Sequence, residues 1–129
     1  MRRTAGPLRI AVVEIDPGRH MPVYRIVRSD LLSDPVLLNS LRSNYELSHA
    51  PRNIERSSTV IHMGISAYTR ANTAQQTANK WSKLGGFIAE IDLVPGFGFN
   101  FAHTGFPGHL TIWGDPVKLH DAITAISPV

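Results

Sequence analysis

Cysteine is absent from the 129 residues, which removes a disulfide framework, a thiolate nucleophile, a cysteine-ligated zinc and an iron–sulfur cluster from consideration. Long apolar runs are also missing, because charged residues, Gly or Pro interrupt each one well short of a membrane span. The opening Met1-Arg2-Arg3-Thr4-Ala5-Gly6-Pro7 leads into Leu8 to Ile15 with Arg9 and Glu14 inside it. A signal peptide's uninterrupted apolar core is therefore lacking, and a cytoplasmic location is expected. Aromatic residues make up only 8% and charged residues 18%, yet 43% hydrophobic residues make the chain too apolar to stay disordered. With no repeat, low-complexity tract or linker, the length predicts one small soluble domain over residues 1–129.

Lysine is missing from the first half. Residues 1–70 hold ten Arg and no Lys against six acids, whereas residues 71–129 hold three Lys against four acids. The planar guanidinium fork grips phosphates and carboxylates, so this half suits a phosphorylated ligand or a nucleic-acid backbone. Arg-biased composition on a solvated surface reads the same way, and a formal charge of +3 is too small to assert nucleic-acid binding.

Leu8 to Ile15 reads as a strand ended by Asp16-Pro17-Gly18, and Val23 to Arg28 as a second strand. Asp34-Pro35 starts a helix, with Leu37, Leu38 and Leu41 on one face, fading near Asn44. Residues 46–58 lack periodicity and form a polar loop long enough to be functional. Thr59 to Tyr68 alternates and predicts a strand with Ile61, Met63, Ile65 and Ala67 on one side and Val60, His62, Gly64, Ser66 and Tyr68 on the other. A capping box from Asn72 or Thr73 opens a helix with Ala74, Ala78, Trp81 and Leu84 along one side, ended by Gly85-Gly86. Strands follow at Phe87–Leu93, Phe99–Ala102 and His109–Trp113, separated by Gly- and Pro-rich turns. Asp115-Pro116 then starts a C-terminal helix with Leu119, Ala122, Ile123 and Ile126 as its apolar stripe. Connections too short for βαβ crossovers predict an α+β fold, a mixed, largely antiparallel sheet with about three helices.

Arg25 shares a strand side with Val23 and Val27, so it faces an apolar neighbourhood and needs a carboxylate, a carbonyl cluster or a bound anion. An internal ion pair with Glu90 or Asp92 would satisfy it equally well. His62 and Ser66 flank Gly64 on the predicted strand face, which leaves room for a flat ligand unless a helix covers it. Gly64-Ile65-Ser66-Ala67-Tyr68 lacks the second glycine of a nucleophile elbow. His103 and His109, with His62, match no standard zinc spacing, and Gly105 to Gly108 is no phosphate loop because Gly-Lys-Ser/Thr is missing. Glu90 and Asp92 share a strand face with Ile88, as paired acids would, although ion pairing to arginines fits the same pattern.

Taken in order, Tyr24-Arg25, the polar loop, Met63-Gly64-Ile65-Ser66-Ala67-Tyr68 before an Ala-rich helix, and Gly86 to Leu93 resemble the core of the ADP-ribosyltransferase-like superfamily. The resemblance covers roughly residues 22–113; RES-type NAD-degrading toxins and RNA phosphotransferases are among its small members. It implies that NAD is the co-substrate. Arg25 would meet the pyrophosphate, Ser66 would steady the nicotinamide ribose beside His62, and Tyr68 would stack on the nicotinamide. Residues 108–113 hold no Glu where the superfamily's carboxylate is sought, so Glu90 or His109 takes the catalytic position. The implied function is an NAD-using transferase or NAD glycohydrolase, the toxin of a small toxin–antitoxin pair with an antitoxin or other protein partner. The alternative is a noncatalytic α+β module that contacts a protein or nucleic acid.

Overall fold

A computed structural model of the chain describes residues 11–15 and 19–129. The expected first strand lies partly outside those residues; within them it is β1, Val13–Glu14. The remaining strands are β2 (Met21–Val27), β3 (Ile65–Tyr68), β4 (Phe87–Leu93), β5 (Asn100–His103), β6 (His109–Trp113) and β7 (Ile123–Pro128). They form one seven-stranded sheet in the order β1-β5-β6-β3-β2-β4-β7, and every pairing is antiparallel. Among the described residues four α-helices accompany it, α1 (Pro35–Asn39), α2 (Thr59–His62), α3 (Ala71–Lys80) and α4 (Pro116–Asp121), with short 3-10 turns at Asn53–Ser57 and Ser82–Leu84. The α+β class is as expected, with an antiparallel rather than mixed sheet and one more helix.

The sheet divides the core in two. Val23, Val27, Ala67, Ile91, Leu110 and Ile112 point to one face, where Leu37 and Leu41 from the α1 region and Leu119 of α4 cover them. Ile26, Tyr68 and Ile88 point to the other, where Ala74 and Ala78 of α3 close against them. Asp34 and Asp115 each accept a hydrogen bond from the backbone N–H two residues on and are each followed by Pro, so both expected Asp-Pro helix starts are present. Among the described residues no helix is long and apolar enough to cross a membrane.

Four sequence expectations are corrected. The helix after Asp34 ends at Asn39, well before Asn44. The helix expected from Asn72 or Thr73 begins at Ala71 after Arg70 without a side-chain cap, and Trp81 and Leu84 lie outside it and are exposed. The stretch Thr59–His62 is helical, because β6 ends at Trp113 and leaves no partner strand beyond the pair Ile65↔Ile112. Backbone groups without a neighbouring strand satisfy one another internally. The C-terminal stripe also splits: α4 stops at Asp121, and Ile123–Pro128 pairs along β4 instead. Ile123, Thr124 and Ile126 are β-branched, and the open edge of β4 gives them a ladder.

Candidate functional site

Arg25 is held where the sheet opens. β2 and β4 pair over seven consecutive positions, but β2 and β3 pair only at Tyr24↔Tyr68. Beyond that pair the Arg25 guanidinium fills the gap, donating from Nη1 to the Ser66 carbonyl at 2.7 Å and from Nε to the Ser40 carbonyl at 3.0 Å. One bond replaces a missing ladder bond of β3; the other satisfies the residue that caps the C-terminus of α1. The expected ion-pair alternative is not formed. Cross-strand partners share a face, and the partner of Arg25 is Ala89, whereas Glu90 lies opposite Tyr24 and Asp92 opposite Pro22. Burial pushes the Arg25 pKa down to about 10, with Tyr68 and Glu55 acting against that shift and Arg28 adding to it. The group remains a cation at neutral pH, and among the described residues no carboxylate stands within ion-pairing distance of it.

His62 lies on α2 rather than on a strand beside Ser66, so the open face predicted around Gly64 does not form. The space is taken: a Cβ on Gly64 would run into Thr111 Cγ2, and would stand 2.9 Å from the Ile112 carbonyl and from Trp113 Nε1. His62 instead turns to the polar loop, where its Nδ1 is 2.9 Å from Glu55 Oε1. Glu55 also accepts from Asn44 Nδ2 at 3.1 and 3.0 Å and from the Arg52 N–H at 3.4 Å, and the edge of Tyr45 closes on the imidazole at 5.7 Å. With side-chain exposures of 18% and 13%, Glu55 and His62 form a half-buried pair, fixed through Nδ1 so that Nε2 is the nitrogen left to react. The loop's two left-handed non-glycine residues, Ser48 (φ 59°) and Asn53 (φ 51°), shape it around this pair. Sequence reasoning singled out the loop but not Glu55, whose only signal was an acid in an aperiodic segment ahead of a histidine.

On the α3 face the registers place four side chains in one row across β4, β2, β3 and β6. Glu90 faces Tyr24, Tyr24 faces Tyr68, and Tyr68 faces His109. Tyr68 is buried, with its ring 5.5 Å from His109 and 6.2 Å from Phe106. His109 is buried too, its Nδ1 bound to the Thr104 carbonyl at 2.9 Å and to the hydroxyl at 3.1 Å. Burial lowers the His109 pKa, the Thr104 carbonyl opposes that, and the Arg25 charge adds to it, which favours the neutral ring. Ser66 is half-buried, one strand repeat from Tyr68 and opposite Thr111.

Glu90 and Tyr24 line a groove of about 380 Å³ together with Asn72, Gln75 and Ser127. Burial, and then the Glu90 carboxylate, raise the Tyr24 phenol above its ordinary pKa. The Glu90 carboxylate accepts a hydrogen bond from Thr124 at 2.8 Å. Gly105 (φ 68°) and Gly108 (φ 88°) supply the left-handed corners of the turn into β6, the turn role expected of them. His103 is exposed on β5, and among the described residues no three His, Asp or Glu side chains gather as metal ligands.

Arg25 thus enters the β2–β3 gap from the Val23 and Val27 face and meets only the backbone of Ser66, whereas the side chains of Ser66, Tyr68, His109 and Glu90 lie on the α3 face and His62 turns to Glu55. Compared with family models, curated proteins and solved structures, the chain matches none.

Proposed function

We propose that the protein is a cytoplasmic, ADP-ribosyltransferase-like enzyme that uses NAD as its co-substrate, either transferring ADP-ribose or hydrolysing NAD, as the toxin of a toxin–antitoxin pair. The observation that supports this reading is the cation in the β2–β3 gap, with no carboxylate paired to it among the described residues, bonded to the backbone of Ser66 and acting electrostatically on Tyr68 and His109. A guanidinium with two carbonyl bonds keeps N–H donors for a diphosphate, and the Ser66 hydroxyl, on the other face of β3 with Tyr68, is the ribose partner of this reading. Glu90 is the carboxylate of this reading. It would steady the positive sugar that forms as the nicotinamide–ribose bond breaks, with the bonding electron pair leaving on nicotinamide. Water or an acceptor hydroxyl then adds to the sugar and gives up its proton.

The test is nicotinamide release from NAD by the purified protein and three variants. Ser66→Ala deletes only a hydroxyl and leaves the carbonyl that Arg25 uses, so it should fold normally and lose release about tenfold or more. Glu90→Gln should lower turnover while NAD still binds. Arg25→Met should lose both. Wild-type protein that neither binds NAD nor releases nicotinamide refutes the proposal. Growth arrest on expression, relieved by Glu90→Gln, tests the toxin role separately.

A further inference from the structure

The groove beside Glu90 exists because α3 covers only part of its side of the sheet. α3 packs on β2, β3 and β4, closing through the small side chains Ala74 and Ala78, while the edge strand β7 continues the sheet beyond it with Ala125 and Ser127 exposed. The space of about 380 Å³ is at the small end of ligand sites, which run from about 300 Å³ upward. From the sheet come Tyr24, Ile88 and Ala125 as apolar floor, with Glu90 and Ser127 among them; from α3 come Asn72 and Gln75, one turn apart. Glu90 is the only charged residue lining it among the described residues. Its Oε2 accepts from Thr124 at 2.8 Å, and its Oε1 is left open to water, since the one buried side-chain oxygen or nitrogen without a partner among the described residues belongs to Asp92. The Tyr24 phenol, its pKa raised by burial and then by Glu90, stays a neutral O–H donor. Asn72 and Gln75 bring carboxamides that donate and accept, and Gln75 uses one N–H on Asn79 at 3.4 Å.

We infer that this groove binds a neutral saccharide ring with adjacent hydroxyls, its C–H face on the apolar floor and its hydroxyls bonded to Glu90, Asn72, Gln75 and Ser127. The donors and acceptors decide the ligand class. A hydroxyl both donates and accepts, so it pairs with a carboxylate, which only accepts, and equally with carboxamides and hydroxyls, which do both. An ammonium or guanidinium only donates and would leave the carboxamide N–H groups without acceptors. A phosphate only accepts and meets the Glu90 charge with no cation beside it among the lining residues. Sugar binding goes beyond the NAD reading, because it needs neither a dinucleotide nor a bond that breaks.

Titration of isotope-labelled protein with methyl β-D-ribofuranoside, followed by amide NMR, tests the groove. The expected result is saturable shifts at Gln75, Glu90 and Ala125, weakened about threefold by the surface variant Gln75→Ala and abolished by Ala125→Phe, whose ring fills the space. Cyclopentanol, a ring with a single hydroxyl, should bind about tenfold more weakly. No saturable shift with the riboside, equal binding of cyclopentanol, riboside binding unchanged in both variants, or tighter binding of propylguanidinium than of the riboside overturns the inference. NAD titrated in parallel separates the two proposals: riboside binding without NAD binding upholds the sugar groove and refutes the NAD enzyme, and NAD binding without riboside shifts refutes the sugar groove and leaves the NAD enzyme standing.

Discussion

Arg25 has two roles that a single substitution separates. Arg25→Met removes two hydrogen bonds from a charged donor, each worth about 1.5–3 kcal/mol, so the loss is about 3–6 kcal/mol. The cation also carries a penalty in the folded state. Its pKa is pushed down to about 10, and a shift of that size corresponds to roughly 3 kcal/mol against the protonated form. The folded pKa lies below the unfolded one, so the unfolded chain holds the proton more readily and the penalty is fully present at neutral pH. Methionine carries no such penalty and fills similar volume. The net destabilisation is about 0–3 kcal/mol, or a fall in Tm of up to roughly 10–15 °C for a chain of this size. Urea unfolding followed by circular dichroism measures it. A loss of 5 kcal/mol or more would mean that the guanidinium is chiefly a strut between α1 and β3, and the argument that it is retained for an anion would fail.

Gly64 and His109 give two further outcomes. Gly64→Ala forces a Cβ into Thr111 Cγ2 and against Trp113 Nε1, whose own hydrogen bond to the Val60 carbonyl is 2.8 Å, so stability should fall by about 1–3 kcal/mol; unchanged stability would mean the β3–β6 corner is loosely packed. His109 has a folded pKa below 6.5, so the unfolded chain binds more protons and stability should decline as the pH drops below that value. His109→Gln should flatten the decline, and equal slopes in the two proteins would assign the acid sensitivity elsewhere.

Strands β4 and β6 could be read from the sequence to the residue, because β-branched and aromatic runs there sit between Gly- and Pro-rich turns. The two segments read wrongly share a cause. Thr59–His62 and Ile123–Pro128 both carry apolar spacings that suit either a short helix or a strand. The decision was tertiary. The first segment runs past the end of β6 and closes on itself, and the second meets the free edge of β4 and pairs with it. A four-residue helix and a six-residue edge strand are too short for local propensity to outweigh the availability of a partner.

The site was less legible than the fold, and Arg25 shows why. Its inward orientation follows from alternation alone, since Val23 and Val27 on the same side are fully buried. What it meets there depends on register, which alternation does not specify. Glu90 and Asp92 flank Ile91 on β4, and a slip of one residue against β2 would have put Glu90 opposite Arg25 and closed an ion pair between them. The actual register sets Ala89 there, leaves the charge to two carbonyls, and carries Glu90 through the sheet to the groove beside Tyr24. Among the described residues, a cation without an acid and an acid without a cation are thus two consequences of one pairing choice. Seven consecutive paired residues between β2 and β4, most of them apolar on one face or the other, make that choice hard to reverse.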